Sequence, residues 1–165
     1  MRKMTCAVLA AVGAVTLSLA GCGDEKVDGG AGSGGKDKGA VGAASEKPAR
    51  PVAGTVWEIQ SVTAAGGKEL KAEPVRGKPA TLEIKGDQAS LRVCNGAGSA
   101  VKVGPDSVDF DGNWMSTKMA CGGTADRLES TLHKVLKGKL EIAGDGNELT
   151  LKGTGGDVVR FTAAG

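Results

Sequence analysis

Between Val56 and Phe161 the sequence alternates apolar and polar residues in runs too short to be helices. Trp57 and Ile59 share one face of the first run, and Leu82 and Ile84 alternate with Thr81, Glu83 and Lys85. Leu91 and Val93 alternate with Ser90 and Arg92, Val101 and Val103 flank Lys102, and Val108 and Phe110 flank Asp109. A period of two sends alternate side chains to opposite faces, so each run reads as a strand with one buried face. Gly86-Asp87, Asn95-Gly96 and Gly104-Pro105-Asp106 separate the runs with residues that tolerate positive φ or preset a bend. No helix-length segment stands between these strands. Parallel crossovers are therefore excluded, and an antiparallel meander is expected.

One segment has a different period. From Thr124 to Leu136, the residues Leu128, Leu132, Val135 and Leu136 form a helical stripe that needs a sheet face to cover. Thr124 is placed to cap this helix, Asp126 and Glu129 lie toward its positive end, and Lys134, Lys137 and Gly138 mark its finish. Leu140-Glu141-Ile142, Leu149-Thr150-Leu151 and Val159-Arg160-Phe161 then supply three more strands. The expected fold class is mainly β (α+β): a small antiparallel sheet or open barrel of about eight or nine strands with one packed helix.

The first third of the chain is of another kind. Arg2 and Lys3 precede an apolar, uncharged run from Met4 to Ala20, the pattern of an export signal. It ends in Leu19-Ala20-Gly21-Cys22, which resembles a bacterial lipobox: small side chains beside a cleavage point and a thiol to carry diacylglycerol. Cys22 is thus the expected lipidation site, with palmitate-like acyl chains as the membrane anchor, since one chain alone holds a protein only reversibly. From Gly23 to Arg50 the composition is Gly-rich and charged, with too little apolar surface to repay ordering. Gly30–Lys36 has the glycines and lysine of a phosphate loop, but Asp37 occupies the hydroxyl position and no strand precedes it. The expected organisation is a lipoprotein signal peptide over 1–21, a lipidated N-terminus and linker over 22–51, and a folded domain over 52–165. Localisation follows as the extracytoplasmic face of the cell membrane.

Composition removes several function classes. There are two Trp, two Phe and no Tyr, too few aromatics for a nucleic-acid stacking platform. The formal charge is +2, and without Arg2 and Lys3 it falls to near zero. No electrostatic attraction to nucleic acid is expected, and the domain reads as monomeric. With Cys6 inside the signal and Cys22 lipidated, Cys94 and Cys121 remain. In an exported protein such a pair is expected to be a disulfide, the alternative being two unpaired thiols. Closing a loop of about 28 residues contributes roughly 3.5 kcal/mol on the chain-entropy account. Strict alternation places Cys94 with Arg92, so either the strand bulges or the bridge lies on the outer face.

Trp57, Cys94-Asn95, Thr117-Lys118-Met119-Ala120-Cys121, Glu129 and Leu149-Thr150-Leu151 follow one another in an order that resembles the META domain of HslJ-like heat-shock lipoproteins. The resemblance spans about Gly54 to Phe161. It departs at Val93, where the family usually has Gly, and at Gly98-Ser99-Ala100, which lacks an aromatic. It implies a β-rich fold with a packed helix, attached to the bacterial envelope and linked to stress, secretion or motility, with no settled activity.

No catalytic, cofactor-binding or metal-binding residues are expected. His133 is the sole histidine, lies outside the apolar stripe and reads as a solvated surface residue. Asp109 and Asp111 could serve as a glycosidase acid and base, though solvated carboxylates on a strand are commoner. Trp114 reads as core rather than as an exposed patch. The expected function is a non-enzymatic, lipid-anchored binding or envelope stress-response role with an unknown protein or small-molecule partner. Asn95, Gly96 and Trp114 mark the candidate binding loop. The alternatives are a secreted-enzyme (protease) inhibitor presenting Asn95–Ala100, and a hydrolase using the acidic pair.

Overall fold

The computed structural model describes residues Glu46–Gly165. Cys22, the export signal and Gly30–Lys36 lie outside the described residues. The expected architecture is present, mainly β with one helix, and its sheet closes. Eight strands form the barrel: β1 (Val56–Thr63), β3 (Thr81–Lys85), β4 (Gln88–Arg92), β5 (Gly96–Val103), β6 (Ser107–Phe110), β8 (Gly138–Asp145), β9 (Glu148–Gly153) and β10 (Val158–Ala163). Each pairs antiparallel with its neighbour, and the circle closes where β10 meets β1. Two-residue strands β2 (Leu70–Lys71) and β7 (Met115–Ser116) add to β1 and β5. Closure removes the exposed sheet edges that invite aggregation.

Alternation in the sequence becomes an inside and an outside. Trp57, Ile59, Leu82, Ile84, Leu91, Val101, Val108, Phe110, Leu149, Leu151, Val159 and Phe161 fill the interior as part of one core cluster. On β1 the period is interrupted at Gln60, which has no partner on β10 because the register shifts between Ile59 and Ser61. This bulge lets Ser61 and Val62 both be buried. Val103 departs from expectation: in the last pair before the Gly104–Asp106 turn, at the rim, it is exposed.

Helix α1 (Gly123–Val135) closes one end. It lies between β7 and β8 in sequence yet packs on β1, which stands opposite β6 in the circular strand order. It therefore crosses the barrel mouth, and Leu128, Leu132, Val135 and Leu136 join the core. Gly138, at φ 66°, takes the left-handed conformation that turns the chain from helix into β8.

The opposite end is closed by the chain ahead of β1. The Gly144 N–H donates to the Glu46 carbonyl (2.7 Å) and the Ala49 N–H to that of Gly146 (2.8 Å). Pro48 packs on Gly144, where any β-carbon would also collide with the Glu148 carbonyl. These backbone bonds strap residues 46–49, which the sequence places in the linker, to the β8–β9 turn. Val52 enters the core, and its carbonyl accepts from buried Trp57 Nε1 (3.0 Å).

Trp57 thus serves the interior and the strap together. Trp57→Phe leaves the Val52 carbonyl without its donor and is expected to lower unfolding free energy by about 1–3 kcal/mol, read from urea denaturation.

Candidate functional site

Beyond β4 the chain makes a short turn in which the Val93 N–H donates to the Asn95 carbonyl (3.2 Å). Alternation persists through it, so Asn95 points inward and is buried, although its side chain is polar. Every polar group of that side chain is used. Nδ2 donates to Glu129 Oε1 (3.0 Å) and to the Met119 carbonyl (3.2 Å). Oδ1 accepts from the Met119 N–H (2.8 Å) and from Thr117 Oγ1 (3.3 Å). The Asn95 backbone N–H meets Glu129 Oε2 (3.1 Å), so one carboxylate from α1 holds both the main chain and the side chain of the β4–β5 turn.

The Thr117–Cys121 segment has no regular structure of its own and is positioned by this amide. Its end is tied covalently: Cys94 and Cys121 form a disulfide with Cα atoms 6.0 Å apart. Of the two placements compatible with the sequence, the bridge takes the outer one, with half-buried Cys94 continuing the alternation between exposed Arg92 and Gly96. Entry into α1 differs from expectation. Thr124 lies inside the helix, and the N-cap is Gly122, with no side-chain cap. Asp126 instead reaches back from the first turn, accepting from the N–H groups of Gly122 (2.9 Å) and Cys121 (3.3 Å). Gly122 and Gly123, both at positive φ, shape the chain so that one carboxylate reaches two amides.

The family model for the META domain matches residues 50–165, nearly the whole of the described structure. This chain belongs to the META domain family. Among solved structures it is similar to an NMR structure of a protein from Burkholderia xenovorans, with a TM-score of 0.55 and 18% identity over 68% of this chain and 83% of that one. A second NMR structure has a TM-score of 0.51 and 17% identity over 66% and 88% of the two chains. At these identities the likeness concerns the fold. No curated protein matches.

In this META domain Asn95 and Gly96, read from the sequence as a candidate binding loop with Trp114, lie at the end of a turn and the start of a strand. Gly96–Val103 is strand β5, paired with β4 on one side and with β6 and β7 on the other. Asn95 is consumed in the interior, so an Asn95–Ala100 loop offered to a protease is not a feature of the structure. Trp114 packs against the core as expected. Its Nε1 donates to the Leu136 carbonyl (2.9 Å), and its ring lies 5.8 Å from that of Phe110. Met115 and Met119, by contrast, are 82% and 52% exposed.

His133 corrects another expectation. It is half-buried and stacks on Trp114, with ring centroids 5.6 Å apart and planes within 6°. Its Nε2 is buried with no hydrogen-bond partner. Removal from water holds its pKa below the ordinary imidazole value of 6.5, opposed by the nearby Glu129 carboxylate. The sequence signal for this was faint: a histidine just beside the apolar stripe, facing a tryptophan supplied by a different segment.

The acidic pair is separated by use. Asp109 is exposed on β6, whereas Asp111 accepts from Ser99 Oγ (2.6 Å) and from the Asn113 N–H (2.9 Å). The Ser99 bond, followed by the Asn113 amide, lowers the Asp111 pKa from its ordinary 3.8. A general acid needs the opposite shift.

Two outcomes follow from this geometry. Glu129→Gln replaces an accepting oxygen with a donor facing donors, so stability is expected to fall by about 1–3 kcal/mol; an Asn95→Ala/Glu129→Ala double-mutant cycle should show coupling above about 0.5 kcal/mol. For His133 the unfolded chain binds the proton more tightly than the folded one. The melting temperature should therefore decline as pH drops below 6.5 toward the lower folded value, and His133→Phe, which keeps the stack, should flatten that decline.

Proposed function

We propose that this chain is a lipid-anchored, extracytoplasmic META-domain protein that acts by binding, in an envelope stress-response role, and performs no catalysis. The Leu19-Ala20-Gly21-Cys22 segment supports the anchor. The observation that carries the binding half is the commitment of reactive-type side chains to structure. Asn95 and Glu129 are spent on one another, and Asp111 is spent on Ser99 and Asn113. The filled barrel interior and its two closed ends direct any ligand to the outer surface.

Cys22→Ala is expected to move the protein from the membrane to the soluble fraction, and the intact mass of the membrane-extracted wild type should begin at Cys22 with added acyl chains. In cells lacking the native copy, Asp109→Asn/Asp111→Asn should restore survival under envelope stress as well as wild type, and Cys22→Ala should not. Unchanged membrane retention of Cys22→Ala would remove the anchor, and failure of the double Asp variant, present at wild-type level, would favour catalysis.

A further inference from the structure

We propose that the cleft on the outer face of β3, β4 and β5, beside the Cys94–Cys121 bridge, binds a phosphate monoester through Arg76, Lys78 and Arg92 above Gly96. This deepens the binding role proposed above and rests on it, but is independent of the lipid anchor.

Two adjoining cavities of about 340 and 670 Å³ share Lys78, Arg92 and Gly96 in their walls. The smaller is lined by three cations, Arg76, Lys78 and Arg92, and by no carboxylate. Among the described residues the ion pairs are Lys47–Asp106 and Lys85–Glu83, so none of the three is neutralised that way. The larger cavity includes Glu83, but that carboxylate is held by Lys85 at 2.8 Å. Like charges gathered around one concavity repel each other and focus the field on an anion.

Two local choices at the same cavity run against what the fold prefers. Arg76 is the one non-glycine residue at positive φ (52°) among the described residues. It sits in a tight turn with Gly77, closed by paired Val75–Lys78 backbone bonds of 2.9 and 3.1 Å. Asn, Asp or Gly suits that position with less strain than Arg. The turn sets Arg76 and Lys78 on the wall that Arg92 reaches from β4. Gly96 is the second. Its φ is not in the positive region, a β-carbon there would meet nothing within 4 Å, and glycine weakens a strand. Nothing in the fold requires it, whereas a side chain would enter the space between the cations. Departures from local preference that converge on one cavity point to a ligand rather than to stability.

Arginine guanidinium groups match phosphate oxygens in pairs, and lysine adds a mobile point charge. A phosphate monoester, carrying close to two negative charges at neutral pH, complements three cations better than a single carboxylate. Ser90 and Thr81 line the larger cavity and supply hydroxyls to a polar remainder such as a polyol.

The test uses the full-length chain in non-ionic detergent, titrated with glycerol 3-phosphate and followed by backbone amide shifts. Saturable shifts are expected at Val75–Lys78 and Arg92–Gly98, with none from glycerol. Arg92→Gln and Arg76→Gly should each weaken binding about tenfold or more, the scale of one charge-assisted contact. Gly96→Val should abolish binding at an equal or higher melting temperature. Arg76→Gly, which relieves the turn, keeps the test valid should Gly96→Val fold poorly. Phosphatidic acid doped into the micelles separates the sources: tighter binding than glycerol 3-phosphate assigns the phosphate to a lipid head group, and equal or weaker binding to a soluble ligand. Absence of saturable shifts from both probes, or binding unchanged in folded Arg76→Gly and Arg92→Gln, overturns the proposal. Neither outcome alters membrane release or the Asp-variant survival test, so failure here is distinguishable from failure of the broader role.

Discussion

One buried amide holds together the parts of this domain that regular secondary structure does not. Asn95 gives its side-chain donors to Glu129 and Met119 and takes in return the Met119 N–H and the Thr117 hydroxyl. Asparagine suits the position because it carries donors and an acceptor on one short planar group. Aspartate would put a second negative charge beside Glu129, and an aliphatic residue would strand both a carboxylate and a backbone amide. The disulfide one residue away acts on a different term. It restricts the unfolded chain, whereas the amide network selects one folded arrangement of the turn, the irregular segment and the helix.

The barrel's two ends are closed by different means, and each reflects its position in the chain. At one end α1 brings an apolar stripe across the mouth, and Trp114 fills beside it with its indole N–H satisfied by the last helical turn. At the other end the closing element is extended chain, and main-chain bonds to the β8–β9 turn do the work that packing does for the helix. Between them the strands form a continuous ladder in which β1 is bonded to β10, β3 and β2.

What could be read in the sequence was what depends on neighbours along it. Leu82 and Ile84, Leu91 and Val93, and the Leu128–Leu136 stripe announce their elements because periods of 2 and 3.6 are local properties. The order of Trp57, Cys94-Asn95 and the Thr117–Cys121 segment likewise pointed to the META domain and its packed helix. Closure between β1 and β10 depends on residues a hundred positions apart, which no local pattern encodes. Asn95 was misleading for a related reason: Asn-Gly is turn chemistry, and nothing nearby in sequence tells that Glu129 and Met119 will fold over it. The same holds for His133, whose exposure is decided by Trp114, and for Asp126, which took the capping role expected of Thr124 through the two preceding glycines. Nothing in the local pattern announced Arg76, whose positive φ and shared cavity wall with Arg92 depend on the fold.

The strap at Glu46 sets how the domain would bear mechanical load. Tension drawn along the barrel axis from this end passes into β1, whose ladders to β10 and β3 lie side by side with the pull. Bonds arranged in that way share the load and must rupture together instead of unzipping in turn. The domain is consequently built to resist being dragged by its leading end more strongly than being opened one ladder bond at a time.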